Sequence, residues 1–291
     1  MNFLEKSLMM LCRLYPLKSG CGSIANSGFF KAIENGGQKS EWVNVKGGQA
    51  FVPVQDFVGR SMKYFGDLDP KVSDIIDKVV REGDTCLDIG ANLGLISVRM
   101  SDRVGRTGQV HAFEPQPEMI GHLRETFSRL AHGNVTLHDI GLGRSADTLQ
   151  LTVPQGNAGA ATLTSKGFQN SDTIEVDVRS LDSVAQEYSI GPVSLVKIDV
   201  EGFEAEVVAG GAEFFRDVAP SVVIFEERLP HDQGQLPPSL QLFHDLEYEI
   251  FALPKVLFAT KIVPIHDCAQ AHDYVAVSKT APQEVRRRLG I

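Results

Sequence analysis

The residues with the clearest chemical meaning are Asp88-Ile89-Gly90-Ala91-Asn92-Leu93-Gly94. They follow a short apolar run and open a segment with helical spacing. Gly90 permits a tight turn and close backbone approach to a ligand, and Gly94 lets the helix start near strand and ligand. In an open α/β sheet, ligands bind in the crevice beyond the carboxyl end of such a strand. Asp88 sets a carboxylate there, suited to a cationic or hydroxyl-bearing ligand. A structural tight turn would use the same glycines, so the motif needs support from elsewhere. Glu114, in Ala112-Phe113-Glu114-Pro115, stands at the end of the next expected strand. An acid at that place can accept both hydroxyls of a ribose. The competing reading is a surface acid capping the helix that Pro115 begins. A third block, Val196-Lys197-Ile198-Asp199-Val200-Glu201-Gly202, carries Asp199 and Glu201 to the same sheet edge. These two would share a side if the strand continued, but Gly202 turns the chain there; helix-capping acids are the alternative. Glu226, in Phe225-Glu226-Glu227-Arg228, brings a further acid to that edge.

The loop chemistry bears on the nucleoside cofactor. A dinucleotide fingerprint has a central glycine where the backbone meets a pyrophosphate, and this chain has Asn92 there. Asp88 beside the loop would also repel phosphate. Both points favour S-adenosylmethionine, which carries no phosphate but has an ammonium and a sulfonium.

The elements that must position these residues follow from periodicity. Val72, Ile75, Ile76, Val79 and Val80 have helical spacing, ended by Gly83. Thr85 to Ile89 reads as a buried strand, Leu93 to Met100 as helix, Gln109 to Phe113 as strand, Pro117 to Leu130 as helix and Asn134 to Leu137 as a third strand. Residues 141–180 break the rhythm: Thr148 to Val153 and Thr173 to Val178 read as an inserted hairpin, with residues 155–167 a candidate mobile flap over the acceptor site. Ser180 to Glu187 reads as a helix. Strand Ser194 to Ile198, helix Glu204 to Phe215 and strand Ser221 to Phe225 resume the alternation. After the loop marked by Pro230, Pro237 and Pro238, Tyr248 to Ala252 and Tyr274 to Val277 suggest an antiparallel edge. The alternation argues for a mostly parallel sheet covered on both faces.

The chain has 291 residues, 43% of them hydrophobic and 22% charged, which excludes a mainly disordered protein. Its net charge of −9 argues against a broad grip on nucleic acid, and no nucleic-acid partner is expected. Residues 1–60 read as a helical and irregular extension, and 61–291 as the main domain. In residues 1–50, Lys6, Arg13, Lys18, Lys31, Lys39 and Lys46 face Glu5, Glu34 and Glu41, so this end is net basic and the remainder acidic. Phe3, Leu4, Leu8, Leu11, Cys12 and Tyr15 form a helical stripe that packs on the domain or a second subunit, with peripheral membrane contact the sharper alternative. No apolar run is long enough for a secretory leader or a membrane span; a cytoplasmic location is the expectation. Cys12, Cys21, Cys86 and Cys268 are expected as structural thiols. His111 and His138, on strands near the crevice, are expected to be structural.

Taken together, Leu87 to Gly94, Ala112-Phe113-Glu114-Pro115, Leu181-Asp182-Ser183, Lys197 to Gly202 and Ile224-Phe225-Glu226 resemble the FkbM-type methyltransferases, in the family's order, over roughly residues 60–252. The resemblance implies a Rossmann-like, seven-stranded class I methyltransferase sheet. It implies O-methylation by S-adenosylmethionine of a sugar, glycan or polyketide-type hydroxyl. By position, Asp88, Gly90, Asn92 and Gly94 would line the methionine part of the cofactor, Glu114 would hold the ribose, and Asp139 would stand on the adenine side. Gly141-Leu142 departs from the family's common Ala-Leu.

In-line methyl transfer gains rate from holding the acceptor oxygen in line, and a weakly acidic hydroxyl also needs a base or a metal. Asp199 is the first candidate base, with Glu201 positioning the acceptor and Glu226 third. Such carboxylates could hold Mg²⁺, but no spacing demands a metal, and no metal ligand is assigned. The expected partner is a small-molecule or glycan hydroxyl acceptor, and a homo-oligomer is compatible with the sequence. A cofactor-binding protein without chemistry and a nicotinamide-dependent sugar oxidoreductase remain as alternatives.

Overall fold

The computed structural model describes residues 3–15, 19–33, 40–154, 157–164, 171–229, 236–268 and 271–291. The chain opens with α1 (Phe3–Arg13), α2 (Cys21–Ala25) and α3 (Gly28–Ile33), followed by a hairpin of β1 (Glu41–Val45) and β2 (Gly48–Val52). This hairpin is absent from the sequence expectation of a helical and irregular extension. Its signal was the Lys46-Gly47-Gly48 turn between two short runs. Next come α4 (Phe57–Phe65) and α5 (Pro70–Val79), each started by a side chain that accepts backbone N–H: Asp56 from Val58 and Asp69 from Val72.

The alternating core then begins. It runs β3 (Thr85–Ile89), α6 (Leu95–Val104), β4 (Gln109–Phe113), α7 (Pro117–Ser128) and β5 (Val135–His138). The inserted region holds β6 (Gly141–Leu142), β7 (Asp147–Pro154) and β8 (Ser171–Arg179). β7 and β8 pair antiparallel as a hairpin, and β6 joins as a parallel third strand. After α8 (Leu181–Glu187) come β9 (Leu195–Ile198), α9 (Glu204–Ala209), α10 (Ala212–Asp217) and β10 (Val222–Glu226). The single helix expected over 204–215 is two, because Gly210 lies against the Gly143 carbonyl and the chain bends there. The Asp182 carboxylate accepts from the N–H of Phe214 at 2.7 Å, within α10's first turn. Finally come α11 (Pro238–Asp245), β11 (Tyr248–Ala252), the two-residue β12 (Val263–Pro264), β13 (Asp273–Ser278) and α12 (Gln283–Leu289). Pro230 lies outside the described residues.

The main sheet has the order β12-β11-β13-β10-β9-β3-β4-β5. The five strands from β10 to β5 run parallel; β13 pairs antiparallel with both β10 and β11, so β11 runs in the direction of the five, and the expected seven strands and antiparallel edge are present, with β12 as a short addition. Strand periodicity explains why both faces are covered. Leu87, Val196, Val223 and Phe225 point into a core with Leu181, Val207, Phe215, Leu240 and Phe243, from α8 to α11. Cys86, Leu195, Val222 and Ile224 point the other way, against Ile75, Ile76, Met100 and Val285 of α5, α6 and α12. All four cysteines are free thiols, and three are buried.

The N-terminal elements are fastened to this core. Val43, Val45, Ala50 and Val52 of the hairpin pack with Met62 of α4, Val98 of α6 and Met119 of α7. The buried Lys63 Nζ on α4 lies 2.5 Å from Glu5 Oε1 of α1 and 2.8 Å from Glu41 Oε1 of β1. One ammonium thus joins three elements. Removing one partner of a buried ion pair leaves uncompensated charge. Lys63→Met is expected to lower stability by about 3 kcal/mol and to speed proteolysis between α1 and β1. An unchanged urea midpoint would count against this role.

Candidate functional site

The carboxyl ends of β3, β4 and β9 converge on a cleft with two contiguous chambers. The loop after β3 forms their shared floor. Gly90 has φ 79°, and a Cβ there would fall 1.9 Å from the Asp199 carbonyl oxygen, so only glycine lets the β3 and β9 ends approach this closely. The N–H groups of Gly90 and Ala91 both donate to the Phe113 carbonyl, at 3.0 and 2.9 Å. Asn92 follows with φ 52°.

Lys197 of β9 underlies this floor. Its Nζ donates to the Gly90 carbonyl at 3.0 Å and stands 3.3 Å from Asp199 and 3.7 Å from the fully buried Asp88. Burial works to lower the Lys197 pKa, but Asp199 and Asp88 outweigh it and hold the ammonium above its ordinary value. The sequence reading gave Lys197 no role. A lysine inside the apolar run Leu195-Val196-Lys197-Ile198 was itself the signal, because a buried lysine demands anionic partners.

The first chamber is lined by Phe113, Pro115, Ile140, Leu142, Leu151 and Leu163, an apolar slot with Glu114 on its wall and Asp199 and Glu201 at its far end. Glu114 is oriented by two backbone amides: Oε2 accepts from Asn92 N at 2.8 Å and Oε1 from Gln116 N at 3.0 Å. Each oxygen keeps lone-pair capacity for another donor. Burial pushes this carboxyl up to about 7.

The second chamber, about 420 Å³, lies between the loop and the N-terminal elements. Phe57, Val58, Leu68, Val72, Leu95 and Ile96 form its apolar wall; Asp69, Asn157, Lys197 and Arg228 add polar groups. Gly90, Asn92, Gly159, Asp199 and Glu201 line both chambers and mark their junction. The described part of the inserted segment, 157–164, roofs it. Gly159 packs so tightly that a Cβ would fall 2.6 Å from Val58 and 3.0 Å from Asn92 Nδ2. Thr162 Oγ1 donates to the Glu201 carbonyl at 2.7 Å. Residues 155, 156 and 165–167 of the expected flap lie outside the described residues.

The chain turns at Glu201 and Gly202, with φ 56° and 98°, so the turn expected at Gly202 is present and begins one residue earlier. Glu204 shapes that turn, accepting from the N–H groups of Val200 and Gly202 at 3.2 Å each. Glu201 is paired with Arg228 at 2.8 Å, and Arg228 also grips Glu226 with two donors at 2.9 and 3.0 Å. Burial, then the neighbouring Asp199 charge, raise Glu201 to about 7 against the opposing pull of Arg228. Glu226 is raised chiefly by burial. Carboxylate oxygens of Asp199, Glu201 and Glu226 lie within 4.8 Å of one another, a spacing that suits a cation. Lys197 and Arg228 already balance much of that charge.

Of the residues singled out from sequence, Gly90, Asn92, Glu114, Asp199 and Glu201 meet at the cleft. Asp88 is a layer below, accepting from Ser97 Oγ at 2.6 Å. Gly94 starts α6 and packs against Leu123, outside the lining. Glu226 stands beside the junction through Arg228. Asp139 is exposed, does not line the cleft, and is ion-paired with Arg124. Its neighbours Ile140 and Leu142 line the first chamber. His111 and His138 contact each other, Nδ1 to Nε2 at 3.0 Å, away from the lining. Burial, then the His111 neighbour, bring His138 down to about 4. Sequence reasoning missed Phe57, Val58, Asp69 and Asn157, which reach the cleft only through the packing of α4 and the insertion.

The chain is 27% identical over 156 residues to Methyltransferase 1 of Beauveria bassiana, covering 47% of this chain and 62% of that protein. It is 30% identical over 130 residues to the hexuronic acid methyltransferase AglP of Haloferax volcanii, covering 44% and 50%. The matched segments thus span between half and two thirds of these relatives. Among solved structures, an FkbM methyltransferase from Methylobacillus flagellatus superposes with TM-score 0.41 at 13% identity, covering 76% of this chain and 65% of that one. Residues 88–257, which hold the β3 loop, Glu114 and the carboxylate junction, match the Methyltransferase FkbM domain, and the chain belongs to that family.

Proposed function

We propose that this chain is an S-adenosylmethionine-dependent O-methyltransferase acting on a hydroxyl of a sugar, glycan or polyketide-type product. The observation that carries the reading is the junction of the two chambers, where Asn92, Asp199 and Glu201 face both. One chamber suits a nucleoside and the other an acceptor. The residues fit the cofactor. The apolar slot between Pro115, Ile140, Leu142 and Leu163 suits a planar base. Glu114, fixed by two amides, suits the ribose hydroxyls. The buried Asn92 Oδ1 has no hydrogen-bond partner among the described residues and suits a donor such as the methionine ammonium. When bound, S-adenosylmethionine supplies an electrophilic methyl group on a sulfonium.

The protein's own part is to bind, orient and deprotonate. Glu201 is the base this geometry favours over Asp199. Both carboxylates are ion-paired, Asp199 with Lys197 at 3.3 Å and Glu201 with Arg228 at 2.8 Å, but Asp199 is 44% exposed, whereas Glu201 is 18% exposed and raised to about 7. A general base with a pKa near the working pH is the most effective kind. Arg228 holds Glu201 in place and leaves Glu226 a positioning role. The Mg²⁺ reading is weaker, because a divalent ion at the three carboxylates would have to displace Arg228. The apolar wall with Asp69, Asn157 and Arg228 at its edges suits a ring bearing several hydroxyls. The sugar-acid substrate named for the Haloferax relative supports a carbohydrate acceptor.

Two outcomes are expected. S-adenosylhomocysteine should bind, and Glu114→Ala should weaken it at least tenfold, about 1.4 kcal/mol. Ribose hydroxyls donate to the ionised carboxylate, so ionisation and binding favour each other. With Glu114 near 7, affinity should rise about tenfold from roughly pH 6 to 8 and then level off. Calorimetry measures both; binding of NADH in place of S-adenosylhomocysteine would overturn the reading. For the base, the transfer rate should rise with pH through about 7, where Glu201 loses its proton. Glu201→Gln should lower kcat by roughly 10²-fold or more and flatten that profile. A full-rate Glu201→Gln enzyme with an unchanged profile would remove Glu201 from the role.

A further inference from the structure

Helix α1 buries only one side. Leu8, Met9 and Cys12 pack with Ala25, Phe30 and Tyr64, and Glu5 reaches Lys63 beneath the helix. The opposite side stays open and is apolar: Leu4 is 58% exposed, Met10 70%, Leu11 66% and Leu14, just past the helix, 72%. At 100° per residue these four fall in an arc of roughly 120°. Lys6 and Arg13 flank that arc on one edge, and both are exposed, Arg13 with its guanidinium turned to the Asn44 and Lys63 carbonyls at 2.7 and 3.3 Å. Helix α3 packs into the same cluster and exposes Phe29, at 61%, together with Lys31.

The charge on this face is of one sign. Over residues 3–33 the sequence has a single acid, Glu5, and it is buried against Lys63. Every exposed charged side chain among the described residues of that stretch is therefore a cation: Lys6, Arg13 and Lys31. The protein as a whole carries −9, so the basic apolar face contrasts with an acidic remainder. An open apolar arc edged by cations is the pattern of a helix that lies in a membrane interface, with the cations at the headgroups. It is a poor match to another copy of the same face, where cation would meet cation.

We infer that the α1–α3 face docks on an anionic lipid bilayer, with Leu4, Met10, Leu11, Leu14 and Phe29 entering the interface and Lys6 and Lys31 at the phosphates, while Arg13 adds positive charge beside them. The face and the cleft share α4. Its Tyr64 receives α1 and α3, and its Phe57 and Val58 line the second chamber. Docking therefore holds the catalytic cleft one helix away from the lipid surface.

Flotation of the full chain with vesicles tests this. Phosphatidylcholine vesicles should capture little protein, and vesicles with about 30% phosphatidylglycerol should capture much more. Raising salt from about 0.1 to 0.5 M should release part of it. Leu11→Asp should cut vesicle partition at least about tenfold and Lys6→Ser about fivefold. Both side chains are exposed, so the thermal midpoint and S-adenosylhomocysteine affinity should match the wild type. Equal capture by the two vesicle types, or unchanged partition of both variants, would overturn the inference. So would a concentration-dependent dimer in sedimentation that Leu11→Asp dissolves, which would assign the face to a second copy of the chain.

Discussion

A single buried ammonium organises the carboxyl end of this sheet. Lys197 joins the Gly90 carbonyl of the β3 loop to the carboxylates of Asp88 and Asp199. A buried lysine without such partners would lose its charge or destabilise the fold. Its partners in turn would repel one another without it. Loop, strand end and acid are thus fixed relative to each other before any ligand arrives. On the other side, Glu114 holds the same loop through the Asn92 amide. The floor of the cleft is clamped from β9 by a cation and from β4 by an anion, an arrangement that favours a preorganised site.

The same charge balance sets the chemistry of the junction. Asp199, Glu201 and Glu226 crowd one sheet edge, and crowding with burial favours protonation of the least compensated members. Arg228 restrains this by holding Glu201 and Glu226 together. The result is a set of carboxylates with distinct duties in the proposed reaction. Asp199 belongs to the clamp, Glu226 to the Arg228 anchor, and Glu201 faces the cleft with a pKa near neutrality.

Much of this architecture was legible in the residues themselves. The strands β3, β9 and β10 are apolar on both faces, which marks a covered parallel sheet, and the glycine after β3 marked the crevice. Glu114 was legible because a strand end followed by Pro115 fixes where its side chain emerges. What stayed hidden depends on contacts distant in sequence. Asp69 caps α5; only the packing of α4 and α5 against the loop turns it toward the cleft. Asp139, expected at the cleft, is paired with Arg124 one helix earlier and lies outside the lining, which Ile140 and Leu142 reach instead. The hairpin β1–β2 was obscured by its short strands and by Asn44 and Gln49, although its glycine turn was visible. The partners of Lys197 and Arg228, which bear on the proposed choice of base, are revealed by no local pattern.

The most direct test of the account is a crystal structure of the protein with S-adenosylhomocysteine. The account predicts both ribose hydroxyls at about 2.5–3.0 Å from Glu114, the adenine in the slot of Pro115, Ile140 and Leu142, and the sulfur at the junction facing Glu201. A ligand bound elsewhere, or one whose ribose avoids Glu114 while its sulfur points away from Asp199 and Glu201, would contradict it.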